Sequence, residues 1–371
     1  MKVLQVGKFY PIRGGVEKVE YDLMLGLSNQ GVRCDMLCAS TEDHPEATIH
    51  LNEFATMFVM PTQINAAATK LAPKMIMKLR KIAKDYDIIH IHHPDPMACL
   101  ALFLTNFKGK VVLHWHSDIL KQKTLLRLYK PLQDWLIKRA DIIVGTTPVY
   151  VQQSKFLRSV QNKVDYIPIG VDVDQELSPI KESVKAEYLN KKIIFSLGRL
   201  VEYKGYEYLI KSAKYLDDSY QILIGGKGPL KDELQQLIDS NNLSERVKLL
   251  GFMTDEEVTG YYQACDLFCL SSILKTEAFA IVQIEAMAYG KPIVSTKIPE
   301  SGVSWVNKDG VSGLTVDICD EHALADAFKQ IFGKEDVYKN LSNGSKNRYL
   351  EHFTRQKMVD KCLQIYNKIL A

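Results

Sequence analysis

Short β-branched runs alternate with longer stretches of helical period along this chain, and the alternation runs its course twice. Runs such as DIIHIHH and DIIVGTT are apolar at successive positions, which suits strands covered on both faces and hence a parallel sheet. In the first half, strands are read near 2–7, 33–38, 57–60, 87–92, 110–115, 141–146 and 164–167. Helical patterns over 15–30, 70–85, 95–106, 121–139 and 148–158 separate most of them. The pattern restarts with strands near 192–197, 220–225, 247–251, 266–270 and 291–295 and helices over 205–216, 229–241, 255–263 and 280–289. Beyond residue 320 it is helical only, over 320–332, 335–351 and 354–370. Alternating strand and helix demands right-handed crossovers. The expected fold is therefore α/β, with two facing doubly wound, Rossmann-like domains. One is residues 1–170 joined by the last helix, about 354–371; the other is residues 188–353. A polar segment near 170–188, containing Pro179, reads as the linker.

A chain of 371 residues is comfortable for two such domains. Its seven cysteines are odd in number and scattered, without a C-x-x-C pair, so a reducing compartment is expected. The longest apolar run, 97–104, falls far short of the ~18–20 residues of a membrane span. The start, MKVLQVGKFYP, turns polar too soon for a signal peptide and reads as a first strand. A cytoplasmic protein is the expectation. Net charge is +3, unevenly placed: residues 51–150 hold 14 basic against 7 acidic side chains. That excess suits an anionic partner or a solvated surface equally.

Doubly wound sheets bind ligands at the carboxyl ends of their strands, and several loops there carry chemistry. Gly14 and Gly15 precede helix one; paired glycines let a ligand approach the backbone, although a tight turn explains them as well. Neither the dinucleotide fingerprint nor the P-loop is present. Arg199 and Lys204 flank a turn after the first strand of the second half, a guanidinium fork and a point charge able to neutralise a diphosphate. Gly226 and Gly228 mark a backbone that bends sharply or lies against a ligand. Glu277 and Glu285 stand eight apart, the first in a loop and the second within the next helix. That spacing suits two carboxylates gripping separate hydroxyl-bearing parts of one ligand, with the N–H groups of Ala280 and Ile281 opening the helix toward a phosphate. His116 follows a buried strand and can reach the same crevice. His90, His92 and His93 invite a metal reading, but alternation sends His93 to the opposite face. Satisfied core histidines, and no metal, are the expectation. Asp172 and Asp174 imitate a D-x-D metal motif where a turn is simpler.

Together these residues resemble glycosyltransferase family 4, retaining enzymes of the GT-B fold, over nearly the whole chain. The likeness rests on Gly14-Gly15-Val-Glu17, His116-Ser-Asp118, Ile167-Pro-Ile-Gly-Val-Asp172, Gly198-Arg199 with Lys204-Gly205, Gly226-Lys-Gly-Pro229 and the E-x7-E pair. The stretch Ser301-Gly-Val-Ser-Trp305-Val-Asn307 looks like a subgroup used in bacterial surface-polysaccharide assembly. It departs from the commoner pattern, which has a Glu after the glycine, and is assigned no role. The resemblance implies a nucleotide-diphospho-sugar donor and transfer of a hexose to a glycan or lipid-linked acceptor, without metal or cofactor. Guanosine diphosphate mannose and uridine diphosphate hexoses both stay open. It implies that Arg199 and Lys204 hold the diphosphate, aided by the backbone at Gly15 and Ala280–Ile281. Glu285 would bind ribose, Glu277 the sugar, and His116 the sugar from the first domain.

Lys74, Lys78, Arg80, Lys81 and Lys84 form a basic face at helical spacing, and Lys121, Lys123, Arg127 and Lys130 a second group. Docking on an anionic membrane at the inner face of the cell membrane and plain solvation both fit. A nucleotide-sugar epimerase of the same layout and a non-catalytic nucleotide-binding module are the alternatives. A nicotinamide dehydrogenase lacks its fingerprint, and nothing suggests a nucleic-acid partner.

Overall fold

The structure, a computed structural model, describes residues 1–41, 44–66, 69–119 and 123–371, with backbone alone for residues 8, 64–66, 69–71 and 123–126. The chain divides into two compact units, Met1–Gly170 with Arg355–Ala371, and Val171–Thr354. The first holds strands β1 (Lys2–Tyr10), β2 (Arg33–Ser40), β3 (Ala47–Asn52), β4 (Ala55–Met60), β5 (Ile64–Ala66), β6 (Thr69–Leu71), β7 (Ile88–His93), β8 (Lys110–Trp115), β9 (Ile142–Gly145) and β10 (Val164–Tyr166). Its helices are α1 (Val16–Asn29), α2 (Pro73–Ile82), α3 (Pro96–Thr105), α4 (Lys123–Arg139) and α5 (Pro148–Gln153). The second unit holds α6 (Pro179–Glu187), β11 (Lys192–Leu197), α7 (Tyr206–Ser212), β12 (Tyr220–Gly225), α8 (Lys231–Ser240), β13 (Val247–Gly251), α9 (Asp255–Ala264) and β14 (Leu267–Leu270). It continues with α10 (Ile281–Ala288), β15 (Ile293–Thr296), α11 (Val303–Val306), β16 (Gly313–Val316), α12 (Glu321–Gly333) and α13 (Glu335–His352); α14 (Arg355–Leu370) returns to the first unit.

Among the described residues, the first unit's sheet has the order β10-β9-β8-β7-β1-β2-β4-β3, and β3 alone runs antiparallel to its neighbour. The second has the order β13-β12-β11-β14-β15-β16, parallel throughout. In each, the opening strand lies inside the sheet and the chain winds outward on one side, then on the other. The strand order therefore reverses beside β1 and beside β11, and the loops leaving those strands flank the crevice where such sheets bind ligands. All residues of β7, β9, β12, β14 and β15 are buried, as continuous apolar runs require when helices cover both faces.

Helix starts follow local chemistry. Asp95 and Thr147 accept from the N–H groups of Ala98 and Tyr150, each with proline at the first helical position. Thr254 and Glu257 form a reciprocal capping box on α9. Gly26 in α1 faces α14, where an added Cβ would lie 2.3 Å from Val359 Cγ2. The absent side chain lets the last helix close on the first.

Several expectations are corrected. The linker near 170–188 is folded: Ser178 caps α6, its N–H donates to Gln263 Oε1 at 2.8 Å, and Ile180 fills the space left by Gly260. Pro179 is a helix start, not a linker mark. The helix read over 70–85 begins at Pro73, behind β6, and α5 ends at Gln153, not 158. β3, β16 and the short antiparallel pair β5–β6 lie outside the strands expected from sequence; β3 alternates between half-buried and exposed positions and draws its strand character from β4, while β16 is four residues long and opens with glycine.

Candidate active site

The second unit builds its site on the turn after β11. Gly205 closes that turn in the left-handed region (φ 62°), where an added Cβ would lie 2.3 Å from the Ser271 carbonyl oxygen. Ser271 Oγ donates to the Lys204 carbonyl at 2.9 Å, and the Ile273 N–H to that of Tyr203 at 2.8 Å. So tethered to the end of β14, Lys204 is only 8% exposed, and its ammonium donates to Glu277 Oε2 at 2.5 Å. Glu277 is 9% exposed and accepts from Ser272 Oγ on the same oxygen at 3.0 Å. Two charges taken from water hold each other, with one hydroxyl added.

The loop of Glu277 is clamped by the stretch to which no role was given. Ser301 Oγ donates to the Glu277 carbonyl, the Gly302 N–H to that of Ala278 at 2.9 Å, and Ser301 Oγ accepts from the Val303 N–H. The loop ends at Ala280, in the left-handed region (φ 64°) before α10. No side chain caps this helix, and its first turn holds no acid. The Gln283 N–H turns back onto the Ala280 carbonyl at 3.0 Å, and the positive end of the helix dipole is offset by no acid of its own first turn. Glu285, half-buried one turn on, accepts from Tyr262 Oη at 2.9 Å. Burial, then the Glu285 carboxylate, push the Tyr262 phenol well above its ordinary pKa, so it stays a donor.

Arg199 is exposed and lies on the loop that leads to Lys204; among the described residues no side chain pairs with it. Gly226 and Gly228 have a packing reason. A Cβ on Gly226 would lie 1.9 Å from the Gly198 carbonyl oxygen, and one on Gly228 2.2 Å from that of Leu200. The loops after β11 and β12 thus touch backbone to backbone, joined by Leu200 N–H donating to Lys227 at 2.9 Å. Of the second-unit residues singled out from sequence, Lys204 and Glu277 are in contact; Arg199 lies on the loop that leads to Lys204, and Glu285 on the helix that follows the Glu277 loop.

In the first unit, Gly15 caps α1 with φ 63° and ψ −137°, a conformation open to glycine alone, and an added Cβ on Gly14 would meet nothing within 4 Å. This backbone is bare rather than packed. His116, 5% exposed just beyond β8, is paired through Nε2 with His92 Nδ1 at 2.9 Å and stacks on His114 at 4.0 Å. The following turn hangs on Asp118, which accepts from Trp115 Nε1 at 2.9 Å and Ser154 Oγ at 2.7 Å. Asp174 closes a turn by accepting from the Glu176 N–H at 2.8 Å.

His90, His92 and His114 have ring nitrogens within 4.8 Å of one another. They do not fit a metal ion: His92 uses both nitrogens, on Gln5 and His116. The three rings also lie within 15° to 28° of parallel. In-plane lone pairs then run side by side instead of converging on a point about 2 Å away. The expectation of satisfied histidines holds for His92 and is corrected for His90, which is bonded through Nδ1 to Tyr366 Oη only. Among the described residues, His90 Nε2 and both nitrogens of His114 have no hydrogen-bond partner. Burial pushes His114 down to about 3, while burial and then His114 push His90 well below its ordinary value, so both stay neutral.

The basic helix face is partly spent within the molecule. Lys74 pairs with Glu46 at 3.1 Å, Lys78 lies over the Phe58 ring, and Arg80 Nε donates to the Leu104 carbonyl. Lys130 pairs with Asp134 at 2.5 Å; Lys121 and the side chain of Lys123 lie outside the described residues. Lys81 and Lys84 are exposed, as are Met77, Phe103, Leu104 and Leu128. No described helix is long and apolar enough to cross a membrane.

Residues 179–348 match the family described as glycosyl transferases group 1, and residues 13–175 match glycosyltransferase family 4. The O-antigen chain mannosyltransferase C of Escherichia coli is 30% identical, with 100% of this chain and 99% of that protein covered. The D-rhamnosyltransferase WbpZ of Pseudomonas aeruginosa is 29% identical, covering 95% of this chain and 92% of that protein. HepE of Anabaena, solved in complex with UDP, superposes with a TM-score of 0.76 at 19% identity, covering 99% of this chain and 100% of the other. Two family matches in series, a full-length relative and the shared two-sheet architecture agree: the chain is a glycosyltransferase of the GT-B fold and belongs to family 4.

Proposed function

We propose that this chain transfers a hexose, with retention of configuration, from a nucleotide-diphospho-sugar to a glycan or lipid-linked glycan acceptor in bacterial surface-polysaccharide assembly. The observation that carries the reading is the cationic mouth of the second unit. Arg199, exposed and without a side-chain partner among the described residues, stands on the loop of Lys204, and Lys204 and Glu277 lead into the uncapped, acid-free start of α10. The names of the mannosyl- and rhamnosyltransferase relatives support a hexose or deoxyhexose and a polysaccharide product.

In this reading the bond from the anomeric carbon to the diphosphate oxygen breaks as the acceptor hydroxyl bonds to that carbon from the same face. The acceptor's proton passes to the departing phosphate. Charge growing on the diphosphate meets Arg199, Lys204 and the α10 N–H groups from Ile281, with the bare backbone at Gly14 and Gly15 allowing close approach. These cations do the work a divalent ion does elsewhere. Glu285, oriented by Tyr262, takes ribose hydroxyls; Glu277, held by Lys204 and Ser272, takes sugar hydroxyls near the reacting carbon; His116 meets the sugar from the first unit. Gly226 and Gly228 keep the loop after β12 close to that of Arg199. The exposed Lys81, Lys84 and Leu128 support docking on anionic lipid.

A thermal-shift screen of nucleoside diphosphates and their sugar conjugates tests the reading, since a ligand of the folded state raises the melting temperature. One base is expected to stabilise the wild type, with little shift in Arg199→Ala. No shift with any nucleoside diphosphate removes the proposal.

A further inference from the structure

Behind His116 the first unit buries a row of polar side chains drawn from three neighbouring strands and the last helix. Gln5 on β1 stands in register with His90 on β7, and His92 on β7 with His114 on β8, all sharing one face of the sheet. Tyr366 of α14 covers that face; Gln5, His90, His92 and Tyr366 are all fully buried. The contacts are continuous. His116 Nε2 meets His92 Nδ1 at 2.9 Å, His92 Nε2 meets Gln5 Oε1 at 2.8 Å, and Gln5 Nε2 donates to Tyr366 Oη at 3.1 Å. Tyr366 Oη in turn meets His90 Nδ1 at 2.6 Å.

Such a row has one polarity, because every shared position holds one proton. With the Gln5 amide nitrogen turned to Tyr366, its oxygen accepts from His92, so the His92 proton sits on Nε2 and Nδ1 is an acceptor. His116 must then donate from Nε2, which leaves Nδ1 as the lone-pair nitrogen of its ring. Stacking on His114 at 4.0 Å holds the ring plane. We infer that Gln5, His92 and Tyr366 are positioning residues which fix the tautomer and ring orientation of His116. The last helix is thereby wired to the site: Tyr366, 250 positions further along the chain, sets the polarity that His116 presents. The kinetic consequence rests on the proposed place of His116 at the transferred sugar; the tautomer itself does not.

Two-bond 15N–1H correlation on protein labelled at histidine, with the His116 signals assigned by their loss in His116→Gln, reads the tautomer directly. Wild type is expected to show His92 and His116 both protonated at Nε2. Tyr366→Phe, which keeps the ring and its packing, and Gln5→Met, close in volume, are each expected to turn His116 into a mixture of tautomers. The same variants are expected to lose about tenfold in kcat with KM for the donor little changed. Protonation of His116 at Nδ1 in the wild type, or an unaltered tautomer in folded Tyr366→Phe, overturns the inference. A changed tautomer with unchanged kcat upholds the wiring and counts instead against the place of His116 at the sugar.

Discussion

Arg199 and Lys204 carry the same charge five positions apart, yet they live under different physics. Lys204 is sealed against Glu277 with a hydroxyl from Ser272; Arg199 stands in water. Replacing Lys204 by Met leaves a buried carboxylate without its cation, at a cost of ~3–5 kcal/mol of stability. Arg199→Ala removes an exposed side chain and is expected to change stability by no more than ~0.5 kcal/mol. Both are expected to lose on the order of 10²-fold in transfer rate. Urea unfolding beside a transfer assay separates them, and equal stabilities for the two variants would refute the buried pair. Their spacing in the chain pointed to a diphosphate but was silent on this difference, since burial depends on where Ser271 and the Glu277 loop come to rest. For the same reason Tyr262 and Ser272 carry no signal in the sequence, and the stretch that starts at Ser301 resembles a subgroup without disclosing its hold on the Glu277 loop: each is an ordinary residue whose partner lies elsewhere in the unit.

Among the elements, helices were the easier to read because their ends are written locally. Asp95-Pro96, Thr147-Pro148 and Thr254-x-x-Glu257 each declare a first turn. Edge strands declare little: β3 owes its conformation to the pairing of Ile49 with Met57, a partner eight residues on. The surface of α2, α3 and α4 poses the corresponding question of function. α3 packs against both of the others, and Met77, Phe103, Leu104 and Leu128 (79% exposed) stand out from the group. Basic side chains near an anionic membrane each contribute about 1 kcal/mol. Reversing Lys81 and Lys84 to Glu, with Leu128→Ser, is therefore expected to weaken sedimentation with anionic vesicles by at least ~10-fold while sparing transfer to a soluble acceptor. Undiminished vesicle binding would leave this face simply solvated.

At the level of the whole molecule, the first unit folds around neutral imidazoles. His114, near 6.5 when unfolded, falls to about 3 in the fold through burial, and His90 is lowered in the same direction. The unfolded chain therefore binds more protons below about pH 6.5. Stability is full above that value and is lost as pH falls toward the folded pKa, by up to about 1.4 kcal/mol per pH unit for each histidine. Urea midpoints between about pH 5 and 7, read from Trp115 and Trp135 in a Trp305→Phe background, are expected to rise with pH; a flat series would contradict the neutral cluster. The doubled α/β course of the chain, its central strands and the cationic and acidic residues of the mouth were legible in one dimension. They rest on period, on turn chemistry and on charge, which neighbours in the chain supply to one another. The fold of residues 171–187, the union of Lys204 with Glu277 and the row from Tyr366 to His116 were not. Each joins groups dozens to hundreds of residues apart, and burial and hydrogen-bond polarity exist only once the sheets and their covering helices have closed around them.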